Sequence, residues 1–256
     1  MKAFYRLLNY EFGELLKEVL IICGGLIVTT LIFIQIELTN YNSFTVHERY
    51  EDIFRSSGGP IIFLVFLVLL LALYVIATNA PYMGSRSIYT FLTLPVKREL
   101  LYFSKLTAFL IGMLMLLAAQ LISYRLGYGI MMNKIEGYAD GQYVMMNGLF
   151  LSLIRSDFMQ MLWPSSLLGI TATVSVLVTL VTGLYYVLLC ERSKKRWGNV
   201  LIVLAFNLIS RSVLLRIEHI DSFEIKSIII VTVLLFIFNI VFIWHSLSLI
   251  KKGAVA

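Results

Sequence analysis

The sequence predicts an all-α membrane protein: an N-terminal interfacial amphipathic helix plus six transmembrane helices, with both termini cytoplasmic. Three observations predict it. The 256 residues are 59% hydrophobic and 14% charged, with a mean hydropathy of +0.88, whereas a soluble domain carries about 25% charged residues. Six apolar runs approach the roughly 20 residues that a helix needs to cross lipid. Helices suit these runs because backbone polar groups must be satisfied inside the bilayer. Finally, Lys and Arg collect in alternate connecting segments, as the positive-inside bias requires. The whole chain, residues 1–256, reads as a single transmembrane domain. The formal charge of +6 follows from this loop bias and does not point to nucleic acid.

Residues 2–18 come first. Phe4, Leu7, Leu8, Phe12, Leu15 and Leu16 recur at helical spacing, opposite Lys2, Arg6, Asn9, Gly13, Glu14 and Lys17. Such a helix lies in the interface plane and is expected to turn sharply into the first span. It serves either as a membrane anchor or as an elbow braced against a cytoplasmic partner. The six apolar runs are Val19–Ile36, Ile61–Ala77, Leu106–Tyr124, Leu162–Leu189, Trp197–Leu215 and Ser227–Ile250. The fourth is long enough to tilt or to extend past the bilayer, and Arg211 interrupts the fifth. All four prolines fall outside span interiors: Pro60 and Pro164 where helices start, Pro81 after the second span, and Pro95 in the loop that follows it. A cleavable signal peptide is not expected, because the first apolar run follows a charged segment and no small-residue cleavage site succeeds it.

Placing the N-terminus inside puts 13 bases and 5 acids in inner segments, against 8 bases and 10 acids outside. The inner side is then +8 and the outer side −2. The loop from Glu191 to Arg196 carries four bases in six residues and is the strongest anchor of this orientation. Cys23 and Cys190 fall at cytoplasmic run ends, where thiols stay reduced, and read as ordinary buried thiols.

The most informative segment is Arg86–Leu106, with Arg86, Lys97, Arg98 and Lys105 against the single acid Glu99. Ile88, Phe91 and Leu92 share one side of a helix-compatible stretch. Pro95 disfavours helix at Leu94 and marks a break. A second helix can start at Val96 or Lys97 and run into the third span, with Glu99 in its first turn, where the helix dipole favours an acid. The segment 86–105 is thus a helix–break–helix elbow at the membrane surface. Two readings stand: a loop that fixes topology, or a lever on which a cytoplasmic partner acts.

In this stretch Leu94, Pro95 and Val96 precede Lys97 and Arg98, and Lys105 and Leu106 enter the third span. The pattern resembles the membrane subunits of ABC transporters of the type-2 exporter class. The resemblance covers the chain as architecture and this stretch as a motif. It implies a cytoplasmic coupling helix docked on a separate ATPase, with Arg86, Leu94, Pro95, Val96, Lys97, Arg98 and Glu99 as the coupling residues. It also implies a second permease chain, identical or homologous, two ATPase subunits that bind ATP and Mg, and a multi-pass cell-membrane location in a bacterium. The cargo class it suggests is an amphipathic peptide or drug, of the antimicrobial-resistance or immunity type. In the family the first and fifth spans usually meet across the dimer seam. One departure is visible. The loop Arg216–Lys226 is too short for the re-entrant helices often found between spans five and six, while Gly141–Met161 is long and amphipathic. The outer vestibule is therefore expected to be built differently.

No Gly-x-x-x-x-Gly-Lys-Ser/Thr phosphate loop occurs, so hydrolysis would belong to another chain, and this one is not expected to be an enzyme by itself. No zinc or nucleophile-elbow motif occurs, and no metal or cofactor is expected here. No acids lie inside a span, against the habit of ion-coupled carriers. Arg211 is the most exceptional polar residue: either it snorkels to the outer headgroups or it contacts an anionic group or an ion-pair partner. Arg125 reads as a snorkelling end of span three. Tyr124, Tyr128, Tyr143 and Trp163 read as an outer headgroup belt. Gly24, Gly25, Gly112, Gly169 and Gly183 are the candidates for close helix approach. The alternative to a permease is a membrane sensor or scaffold whose basic loop docks a regulator.

Overall fold

The computed structural model describes residues 2–39, 49–83, 97–138, 148–193, 197–217 and 222–251. Among the described residues the chain is all helix and turn, with no strand. The elements are α1 (Lys2–Thr39), α2 (Tyr50–Ser56), α3 (Gly59–Met83), α4 (Arg98–Tyr138), α5 (Leu149–Arg155), α6 (Asp157–Leu162), α7 (Leu167–Arg192), α8 (Trp197–Ile217) and α9 (Ser222–Lys251). Five of them, α1, α3, α4, α7 and α9, are long and apolar enough to cross a membrane. Helix α8 covers the expected fifth run but is not among the five. It is 21 residues long and carries Arg211 and Arg216 in its last turns.

Long helices pack as two sets of three. In the first, α1 and α4 run parallel with a nearly constant offset: Glu11 meets Lys105, Val19 meets Gly112, and Ile34 meets Gly127. Helix α3 returns antiparallel beside them, with Phe66 against Gly25 and the Tyr74 ring stacked on Phe109 at 3.8 Å. In the second set α7 and α9 run parallel. Thr182 donates to Asn239 Oδ1 (3.1 Å), and Tyr186 Oη lies 2.8 Å from His245 Nδ1. Helix α8 returns antiparallel, Gly198 against Cys190 and Arg216 against Thr173. One apolar core, from Val19 and Leu26 through Phe109 and Leu116 to Tyr186 and Phe242, joins the two sets.

Several expectations are corrected. Helix α1 is a single 38-residue helix, so the predicted turn near Val19 is absent and 2–18 is not a separate interfacial element. No proline interrupts it, and its three glycines, Gly13, Gly24 and Gly25, each cost only about 1 kcal/mol inside a helix. Its buried stripe, Val19, Cys23, Leu26, Thr30, Ile34 and Leu38, is continued towards the N-terminus by the half-buried Leu15 and Glu11 and the buried Leu7. The third span is likewise longer than predicted, because α4 has 41 residues. The fourth starts later. Leu162 ends α6, and α7 begins at Leu167, where Ser166 Oγ accepts from Gly169 N–H (3.1 Å) and caps the helix.

The close approaches are also not those expected. Gly24 faces open space, and Gly112 and Gly183 make ordinary contacts; only Gly25, against Phe66, is tight between helices. Gly169 is tight only within its own N-terminal turn, against Pro164, and further tight approaches lie at Gly59, against the Phe54 ring, at Gly127, where a Cβ would sit 2.5 Å from Tyr50 Oη and 2.6 Å from Ile34 Cδ1, and at Gly198, 2.6 Å from Cys190 Sγ. Tyr124 is not in a headgroup belt. It is fully buried in a second cluster with Tyr50, Ile53, Phe54 and Met159 at the end of the bundle away from Lys105. Tyr50 donates to the Tyr124 carbonyl (2.9 Å), and Tyr124 donates to the Ser152 carbonyl (3.1 Å). Burial pushes the Tyr50 phenol well above its ordinary range, so it stays a donor. These bonds fasten α2 and α5 to α4 as a cap. Trp163 is 44% exposed, and Tyr143 lies outside the described residues.

Candidate functional site

The end of the bundle where α1, α4 and α8 begin and α3, α7 and α9 finish carries Lys97, Arg98, Lys105, Arg192 and Lys251 among its described residues. Of the predicted coupling residues, Arg86, Leu94, Pro95 and Val96 lie outside the described residues. Lys97 and Arg98 open α4, and the Lys97 carbonyl accepts from Leu100 N–H (2.9 Å). Both side chains are exposed, and neither makes an ion pair among the described residues. Glu99 follows in the first turn, as predicted, and pairs with Lys251 in the last turn of α9 at 3.0 Å. Both charges suit the dipoles of their helix ends. With side chains 40% and 67% exposed, the pair contributes at most about 1 kcal/mol.

Two turns further along α4, Lys105 reaches Glu11 of α1 at 3.8 Å, both side chains nearly buried. On the opposite side Arg192, ending α7, donates to the Thr78 carbonyl (2.9 Å) and to Asn79 Oδ1 (2.8 Å) at the end of α3. Beneath these charges lies an aromatic layer. Tyr102, almost fully buried, sits edge-on to Tyr185 (5.1 Å), which also faces Tyr74 (6.4 Å). The start of α4 is thus tied to α1, α7 and α9 within its first two turns. Lys97 and Arg98 are left facing outward.

Among the described residues this arrangement holds no nucleophile–base pair and no group of metal-ligating side chains. Its assets are mechanical. Helix α4 runs about 60 Å in all at 1.5 Å per residue, and about 40 Å of it leads from the exposed bases to the Tyr124 bonds of the opposite cap, in one uninterrupted element.

Sequence reading misses two features here. Glu11 continues the spacing Leu7, Glu11, Leu15, Val19, so it falls on the packed stripe, and a charged residue there needs a partner. Arg192 reads as one of four loop bases, yet it is committed to α3. At the far end, Arg211 is exposed on α8 and makes no ion pair among the described residues. The inward basic residue is Arg216. It donates to the Met161 carbonyl (3.1 Å), Thr173 Oγ1 (2.8 Å) and Ser212 Oγ (3.2 Å). Position relative to the end of the apolar run does not distinguish the two arginines; the helical facet that each occupies does. No protein-family model, no curated protein and no solved structure matches this chain.

Proposed function

We propose that the chain is the membrane-spanning permease subunit of an ATP-driven ABC exporter. In this reading α8 is the fifth of six spans, and the end of the bundle that carries Lys97 and Arg98 faces the cytoplasm. Separate ATPase subunits bind ATP and Mg and dock on the elbow that leads into Lys97 and Arg98. A second permease chain completes the pathway in the cell membrane of a bacterium. The cargo is an amphipathic molecule such as a peptide or drug. The observation that carries the reading is the construction of α4. It opens on two outward bases that form no ion pair among the described residues, is tied to three other long helices within two turns, and continues unbroken to the opposite cap. A push delivered at Lys97 and Arg98 has a stiff path across the bundle.

The test is co-purification of the chain from its native membrane with a phosphate-loop ATPase, followed by Lys97→Glu with Arg98→Glu. The expected outcome is a retained helical fold with ATPase association or hydrolysis coupling lost. If no ATPase associates, or the double variant remains fully coupled, the permease reading fails and a docking scaffold takes its place.

A further inference from the structure

At the capped end a cavity of about 300 Å³ opens between α2, the first turns of α3, the α5–α6 junction and α8. Its walls are mainly apolar, with Phe54, Leu64, Phe158, Met161 and Val213 among them. One lining group does not fit such walls. Glu51 is 9% exposed, and neither carboxylate oxygen has a hydrogen-bond partner among the described residues. A buried carboxylate with nothing to pair it is costly. The two arginines of the same lining, Arg55 and Arg155, are exposed and form no ion pair with it. Asp52 and Asp157 at the rim leave the charged lining with three acids against two arginines.

We infer that this cavity binds the ammonium group of a cationic amphiphile, with Glu51 as the counter-charge and the apolar walls holding the attached chain. A bare metal ion is a poor match, because hard cations take six or more oxygen ligands and these walls are mostly carbon. An apolar pocket with one or two placed polar groups is the usual form of a small-molecule site, and this volume lies at the lower end of the range for such sites. The occupant is therefore a short alkylammonium, or one cationic side chain of a larger amphipathic molecule. Binding at this site stands independently of ATP coupling; the further step, that the occupant is the exported cargo, rests on the permease reading.

The test uses the purified full chain in zwitterionic nanodiscs, without any ATPase, titrated with tritiated decylammonium. Decanol and decanoate serve as chain-matched competitors. The expected result is saturable binding that either competitor displaces at least tenfold less effectively than unlabelled decylammonium, and that Glu51→Gln weakens at least tenfold. Leu64→Trp, which fills the cavity from an exposed position on α3, should weaken it as strongly while leaving the carboxylate in place. Binding to Glu51→Gln within twofold of the wild type overturns the proposal, as does displacement by decanol as effective as by decylammonium. Should Glu51→Gln fail to fold, Leu64→Trp decides: undiminished saturable binding in that variant overturns the site. None of these outcomes bears on whether an ATPase docks at the opposite end.

Discussion

Replacing Lys105 by Met should destabilise the chain more than replacing both Lys105 and its partner. Lys105 and Glu11 lie 3.8 Å apart with side chains only 13% and 12% exposed. Removing one member of a fully buried pair costs about 3–5 kcal/mol, because the other charge is left uncompensated. This pair keeps some solvent and its contact is long, so a loss of about 1–3 kcal/mol is the reasoned range. The two single changes should differ. Glu11→Gln leaves an amide oxygen that still accepts from the lysine, and the long Lys105 stem can carry its ammonium outward. Lys105→Met leaves a short carboxylate fixed between α1 and α4 with no donor. The double variant, Glu11→Gln with Lys105→Met, removes both charges and should regain most of the loss. Thermal unfolding in one detergent reads all four proteins. A loss of about 2 kcal/mol corresponds to roughly 4–8 °C in a soluble chain of this size. The cycle isolates the pair term, which should be at least about 0.5 kcal/mol for residues in contact. If the double variant melts as low as Lys105→Met, the two charges are not coupled and the α1–α4 register inferred at this end is wrong.

Two further comparisons use internal controls. Gly127→Val should cost about 1–3 kcal/mol by overpacking against Tyr50 and Ile34. Gly24→Ala, which meets nothing within 4 Å, should be neutral or slightly stabilising; unfolding temperatures of both variants check this. On α8, Arg216→Gln should lose about 1–3 kcal/mol, since it strips charged donors from the Met161 carbonyl and Thr173. Arg211→Gln should stay within about 0.5 kcal/mol of the wild type, as substitutions at exposed positions usually do; equal losses would contradict the assigned facets.

The positions of the long helices are legible in the sequence because lipid imposes a length and a composition on every crossing segment. The start of α4 near Lys97 is legible for a local reason: Pro95 bars helix just before it, and Glu99 favours a helix N-terminus just after. Lengths and continuity are not legible. Whether 2–18 bends away from Val19 depends on what α4 offers to Leu7 and Glu11, which is a tertiary matter. Likewise, Tyr124 reads as an interfacial aromatic because it closes an apolar run. Its burial comes from α2 and α5 folding over it, and both are short helices whose sequences carry little periodic signal. The close contact at Gly127 escapes for the same reason, since the approaching atoms belong to Ile34 and Tyr50, both distant in sequence. Glu11 is the exception, because its place on the Leu7–Val19 stripe is by itself the signal of a buried charge.

Coupling the two ends through α4 requires that the helix not absorb displacement along its length. Its interior between Arg98 and Lys134 contains no proline, and the glycines within it, Gly112, Gly127 and Gly129, are separated by full turns or sit near its end. Two of them, Gly112 and Gly127, are packed against α1, which braces the backbone where it is most pliable. Spin labels at Phe103→Cys and Leu126→Cys test this, both positions being exposed on α4. The native Cys23 and Cys190, which are free and buried, would be replaced by Ala. A rise of 1.5 Å per residue puts the two labelled backbones about 35 Å apart. Pulsed electron–electron resonance should therefore give one narrow distance peak, broadened only by the label tethers. A broad or two-peaked distribution in the unperturbed protein would mean that α4 bends between its ends. Force entering at Lys97 and Arg98 would then be spent inside the helix and never reach the cap at Tyr124.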